Sequence, residues 1–248
     1  MKRRYKLLLI ILIGAILTIF INSLRVTSKT TFTSIGDGLS IGMTPYNVAG
    51  NSFNDYLKEK LEIKNDLESY NNEFSYVHQT IHELNEHLNN NDYGNTTRTP
   101  IKQIIAKSEL VTLALGIDEF ANKSQIEEIT SEIIDNYITD MNIFLKNIRE
   151  FYDKQIIVIG VYPALQFSKK DAIEVNSKLK VLCGKYNASF LDILAISLHE
   201  EYYLEKTSYY MNYLAHKDIS KDLYLMYKKT QNNTKKIKAK QLVICNAL

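Results

Sequence analysis

The chain has 248 residues, enough for one α/β domain and little more. With 30 Lys and Arg against 28 Asp and Glu the net charge is only +2, so the chain lacks the strong basic field that draws a protein onto nucleic acid. Cys183 and Cys245 show neither CxxC nor zinc-like spacing, which leaves the disulfide-scaffold and zinc-module classes without support.

Lys2, Arg3, Arg4 and Lys6 precede an uncharged run at 7–21, LLLIILIGAILTIFI. Asn22, Ser23 and Leu24 extend it to about the shortest length that crosses hydrocarbon as a helix. The basic end belongs in the cytoplasm. The residues that follow, INSLRVTSKTT, offer no A-x-A-like cleavage site, which favours an uncleaved single-pass anchor at 7–24 over a signal peptide. Either way the remainder of the chain is expected outside the cytoplasmic membrane.

The exported part alternates strand and helix. Residues 30–35 (TTFTSI) are β-rich and run into the turn Gly36-Asp37-Gly38. Phe53, Tyr56, Leu57 and Leu61 share one helical face over 52–61. A short strand is predicted at 73–77 (EFSYV), a helix at 80–88 and a turn at 89–94, and Pro100 opens a short helix through residue 107. Residues 110–115 (LVTLAL), closed by Gly116, form an uninterrupted apolar run, as a parallel strand buried on both faces requires. One long helix is predicted over 124–152, with Ser124 as its cap and Ile126, Ile129, Ile133, Tyr137, Met141, Phe144, Ile148 and Phe151 at three- and four-residue steps. A second buried strand (155–161), a helix (170–185), a strand (189–193) and a last helix (215–227) follow, and TQNNTKKIKAK after Lys228 reads as a loose polar tail.

This alternation predicts a three-layer α/β/α domain over 30–228 with a central parallel sheet. The basic end is 1–6, the transmembrane helix 7–24 and the polar and basic tail 229–248. Ligands of such folds bind beyond the carboxyl ends of strands, where the turns after Ile35 and Leu115 lie. His78, His82 and Glu86 recur at four-residue steps, but HQTIH lacks the glutamate of HExxH, and no metal or other cofactor is expected. Tyr202, Tyr203, Tyr209, Tyr210 and Tyr213 cluster before the last helix, where they could stack on sugar rings or simply cover the open end of the sheet.

Three segments resemble the SGNH (GDSL-type) hydrolases. Residues 34–42, Ser-Ile-Gly-Asp-Gly-Leu-Ser-Ile-Gly, are similar to the first block, G-D-S-L-S/T-x-G, with Gly38 where the nucleophilic serine belongs. Residues 113–120, Leu-Ala-Leu-Gly-Ile-Asp-Glu-Phe, resemble the block G-x-N-D; Gly116 matches its glycine, and Asp118 stands at the oxyanion asparagine. His216 resembles the general base, with Tyr213 where the family's acid usually stands. The second block's oxyanion glycine has no counterpart in Phe74-Ser75-Tyr76-Val77-His78.

The resemblance implies an SGNH-hydrolase-like, flavodoxin-like fold and ester or acetyl hydrolysis on an envelope glycan or lipid. Acyl transfer of this kind needs a hydroxyl in reach of an imidazole and donors aimed at the developing oxyanion. Gly38 brings an amide without a hydroxyl, and Asp118 brings an acceptor in place of a donor. The catalytic candidates are therefore His216, Ser40 as a displaced nucleophile, and Asp37, with Gly38, Gly116 and Asp118 in the cleft. A catalytically silent relative that binds an envelope polymer or partner protein is the second expectation, and an anchored scaffold the third.

Overall fold

The computed structural model describes residues 29–204 and 209–245. Its centre is a five-stranded, all-parallel sheet of β1 (Thr30–Gly36), β2 (Leu67–Ser75), β3 (Leu110–Ala114), β4 (Gln155–Ile159) and β5 (Ser189–Leu191), in the order β2-β1-β3-β4-β5. That is the flavodoxin-like winding, whose order reverses between β1 and β3 and opens a crevice there. The expected three-layer architecture is therefore present. Helices α1 (Phe53–Ile63) and α7 (Tyr213–Cys245) pack together on one side. On the other, α5 (Ser131–Arg149) meets α2 (Ile81–Asn90) and α6 (Lys169–Lys185). Two short helices, α3 (Ile101–Lys107) and α4 (Ile117–Ser124), flank β3.

Local chemistry sets the helix starts. Ser52, Thr80 and Ser168 each accept from the backbone amide three residues on, while Asp55, Glu83 and Asp171 return a carboxylate to the cap amide, three reciprocal capping boxes. Strand β3 is buried at every position, as its apolar run requires. The core joins it to Phe32, Phe53, Phe144 and Ile157, all without exposed surface. Phe120 in α4 stacks on Phe167 at 4.5 Å and meets Tyr137 edge-on at 5.0 Å, which seats the turn after β3 against the far layer.

Three expectations change, and one falls on residues that are not described. The predicted anchor at 7–24 lies outside the described residues; among those described, no helix is long and apolar enough to cross a membrane. Strand β2 begins at Leu67 rather than at 73, because it is an edge strand with few buried positions and a register shift against β1, so its pattern is weak. The long helix predicted over 124–152 is two helices. Ser124 ends α4 with its hydroxyl on the Ala121 carbonyl, and Thr130 caps α5 through the Ile133 amide. Residues 229–245, expected as a loose tail, continue α7, consistent with a Lys- and Gln-containing run that lacks Gly and Pro.

Replacing Phe120 by Ala removes the ring that bridges α4 to Phe167 and Tyr137. The expected cost is about 3–5 kcal/mol in urea unfolding; a loss below about 1 kcal/mol would mean that this contact does not hold the β3 turn in place.

Candidate active site

The crevice between β1 and β3 is built from two turns. After Gly36 the chain makes one more bond to β3, from the Asp37 amide to the Ala114 carbonyl (2.9 Å), and then closes on itself through Met43 N to Gly38 O (2.8 Å). After β3 it reverses at Gly116, whose φ of 108° lies where residues with a Cβ are strained, and α4 begins. The Asp37 carboxylate joins the two turns by accepting from the amides of Leu39 (3.1 Å) and Asp118 (3.2 Å). Burial, then the neighbouring Asp118 charge, pushes the Asp37 carboxyl well above the ordinary carboxylate range.

Asp118 has no exposed surface, and its carboxylate accepts three hydrogen bonds. Oδ2 takes the amides of Gly38 (3.0 Å) and His78 (2.7 Å), and Oδ1 takes the Tyr210 hydroxyl (2.7 Å). The Gly38 amide, at the position of the family's nucleophile, and the His78 amide are thus both aimed at a carboxylate of the chain itself. His78 presents this amide at φ 64°, the left-handed conformation that glycine adopts without penalty.

Tyr210 completes the enclosure. The Tyr162 hydroxyl fixes the preceding carbonyl, that of Tyr209, at 2.9 Å, and the Tyr209 and Tyr210 rings lie 4.1 Å apart. A Cβ added to Gly38 would overlap the Tyr210 hydroxyl and lie 2.7 Å from its Cε1. The space of a nucleophilic side chain is therefore filled by a phenol. Burial foremost, with the Asp118 charge adding to it, drives that phenol's pKa upward, so it stays a donor to the carboxylate.

The other candidates lie elsewhere in the network. The Ser40 hydroxyl meets Ser75 Oγ (3.2 Å) and receives Asn54 Nδ2 (3.1 Å), and Asn54 in turn accepts from Thr112 (2.8 Å). Ser40 therefore anchors the turn to α1. His216 is fully buried in α7, stacked on Phe53 at 6.2 Å, with Nδ1 accepting from the Phe53 amide (3.3 Å). Its Nε2 finds no hydrogen-bond partner among the described residues. No hydrogen bond joins His216 to Ser40, Asp37 or Asp118, so the expected base is a core residue, and Tyr210, six residues earlier, faces Gly38. Sequence reasoning singled out the tyrosine cluster without assigning Tyr210 to the cleft. Among the described residues no group of His, Cys, Asp and Glu could hold a metal ion.

A family model for GDSL-like Lipase/Acylhydrolase matches residues 32–234. The fold is similar to that of a lipase from a goat-rumen metagenome, at 18% identity and a TM-score of 0.62, covering 79% of this chain and 97% of the other. It is likewise similar to a psychrotrophic esterase from Pseudoalteromonas sp., at 16% and 0.59 over 82% of this chain and 100% of that one. A catalytic mutant of an acetylxylan esterase from Geobacillus stearothermophilus matches at 15% and 0.59, over 79% and 93%. No curated protein matches the sequence.

Burial lowers the His216 pKa from its ordinary 6.5 to about 4, with the Met43 backbone and the Asp55 charge offsetting part of the shift. Between those values the unfolded chain binds the proton and the folded chain does not. Stability therefore rises with pH across this window and is lost as pH falls through it, by about 3 kcal/mol in total. His216→Gln keeps an acceptor for the Phe53 amide and should flatten the urea midpoint between pH 6.5 and 4; an unchanged slope would assign the acid sensitivity to another group.

Proposed function

The chain belongs to the GDSL-like lipase/acylhydrolase family, and from that premise we propose that it is a member that binds rather than hydrolyses, held at the membrane by residues 7–24 with its domain facing the cell envelope. One observation carries this reading: the Asp118 carboxylate accepts from the amides of Gly38 and His78, the donors from which an oxyanion site would be built here. Ester hydrolysis needs those donors free for charge that develops only in the transition state. Here a resident carboxylate already satisfies them, and an oxyanion formed beside it would compete for the same donors. Losing one such donor typically costs about 2.7–4 kcal/mol of barrier stabilisation. The nucleophile is missing as well, because Gly38 has no hydroxyl and Tyr210 fills its space.

The competing reading is an esterase or deacetylase acting on an envelope glycan or lipid. It requires Ser40 to leave Asn54 and Ser75 and find a base, and His216 is engaged by the Phe53 amide. The binding role rests on what the domain keeps, an ordered rim of loops at the carboxyl end of the sheet. The anchor rests on the basic end followed by the uncharged run, which would keep the domain on the envelope side of the membrane.

The test uses the full chain in detergent or nanodiscs with 4-nitrophenyl acetate. Wild type and Ser40→Ala should both match the protein-free rate. Gly38→Ser alone should stay silent because its side chain would collide with Tyr210. The triple change Gly38→Ser, Asp118→Asn, Tyr210→His supplies hydroxyl, donor and imidazole together and should raise hydrolysis by about 100-fold or more over background. Wild-type turnover that Ser40→Ala abolishes would overturn the proposal.

A further inference from the structure

A second constellation lies beside the edge strand, away from the Gly38 and Asp118 turns. It is built from the end of β2, the last turn of α2 and the 91–95 turn. His87 Nδ1 lies 2.6 Å from Asp92 Oδ2, and His87 Nε2 lies 2.6 Å from the Tyr76 hydroxyl. Asp92 fixes the ring by accepting from Nδ1–H, which leaves Nε2 to accept from the phenol. Gln79 flanks Tyr76 on the other side. With its amide nitrogen on the carbonyls of Phe74 (2.7 Å) and Gly36 (2.9 Å), its oxygen lies 3.0 Å from the Tyr76 hydroxyl. Because the phenol's one proton goes to His87, the bonded chain is Asp92–His87–Tyr76, and the Gln79 oxygen lies beside it without a hydrogen bond of its own from the phenol.

Tyr76, His87 and Asp92 wall an open cavity of about 510 Å³, together with Glu73, Phe74, Tyr93 and Asn95. That volume lies in the range of small-molecule sites. Glu73 is occupied, since its carboxylate accepts from the amides of Thr96 (3.3 Å) and Thr97 (2.9 Å) and so braces the 94–97 turn. Both ring nitrogens of His87 are engaged too, and the free groups are on Asp92, Tyr93 and Asn95. Asp92 Oδ1 and the side-chain amide of Asn95 make no hydrogen bond among the described residues, and the Tyr93 ring is 64% exposed.

The chemistry of this lining selects its ligand. An exposed aromatic face next to fixed acceptors and an amide suits a ring with C–H bonds on its face and hydroxyls around its edge. Two carboxylates disfavour phosphates and uronates. A metal ion is a poor fit, because backbone amides hold both Glu73 oxygens and His87 holds one oxygen of Asp92. We propose that this cavity is a saccharide site that takes a neutral pyranose of an envelope polysaccharide, with Tyr93 stacking on the sugar face and Asp92, Asn95 and the Tyr76 hydroxyl binding its hydroxyls. This deepens the binding role proposed above and rests on it.

Ester-free probes keep the two proposals apart, since hydrolysis cannot imitate their binding and a null result says nothing about esterase activity. Full-length chain in nanodiscs is titrated with xylohexaose, cellohexaose and chitohexaose by calorimetry. At least one should bind with a Kd below about 5 mM, and Tyr93→Ala and Asn95→Ala should each weaken it by about tenfold or more. Val181→Ala, on the exposed face of α6 and outside both sites, should leave the affinity unchanged. Absence of binding by all three probes, wild-type affinity in Tyr93→Ala, or an equal loss in Val181→Ala would each overturn the assignment.

Discussion

The buried carboxylate of Asp118 is the constraint around which the end of the sheet is organised. A charge with no exposed surface costs several kcal/mol unless donors replace the water it has lost. Here three donors do so, each from a different part of the chain: the Gly38 amide from the turn after β1, the His78 amide from the loop after β2, and the Tyr210 hydroxyl from the segment before α7. Asp118 itself follows β3. One side chain thus fixes the relative positions of four chain segments that the sheet alone would leave free to move. The upward push on Asp37, its neighbour, follows from the same burial and the same charge.

That arrangement uses the geometry of an oxyanion site to hold a resident anion. In a working site the donors are kept in place by surrounding structure and meet full negative charge only as the reaction proceeds. Here the acceptor is covalently tethered a few atoms from them, and a tethered group competes at a very high effective concentration against anything arriving from solution. Tyr210 reinforces this on the other oxygen while filling the volume above Gly38. Residues 38, 118 and 210 are therefore mutually consistent: glycine makes room for the phenol, the phenol donates to the carboxylate, and the carboxylate takes the amide of the glycine.

Much of the fold was legible because it rests on local rules. Strands β3 and β4 announced themselves as unbroken apolar runs, and Ser52, Thr80 and Ser168 signal their helices through an acid three residues later. Strand β2 was read only at its end, since an edge strand with mostly accessible side chains leaves little hydrophobic pattern. The break between α4 and α5 escaped because Ile126 and Ile133 are seven residues apart, so the apolar period carries across a gap of about two turns. The two turns of the site were found, because glycines and acids at strand ends are local signals. The third participant was not. His216 and Tyr210 both lie close to the start of α7, and whether a residue there faces the crevice or the core depends on where the helix begins. It begins at Tyr213, which puts His216 in its first turn against Phe53 and leaves Tyr210 in the segment that covers the crevice. Residue type pointed to the imidazole, and geometry selected the phenol.

The loop from Tyr76 to Gln79 links the crevice to the cavity beside the edge strand. Its two ends are pinned to the carbonyl of Gly36, by the Tyr76 amide at 3.0 Å and by the Gln79 side chain at 2.9 Å. Between those pins His78 is held at positive φ so that its amide reaches Asp118, while Tyr76 projects into the chain that ends at Asp92. A non-glycine residue keeps such a conformation only where its surroundings over-determine it. The same bonds that impose it also set the Tyr76 hydroxyl at a fixed point on the cavity wall. Closing the crevice and shaping the cavity are therefore two outcomes of one short, tightly bonded loop, and the rigidity that denies the crevice a free oxyanion site gives the cavity a preformed one for hydroxyls.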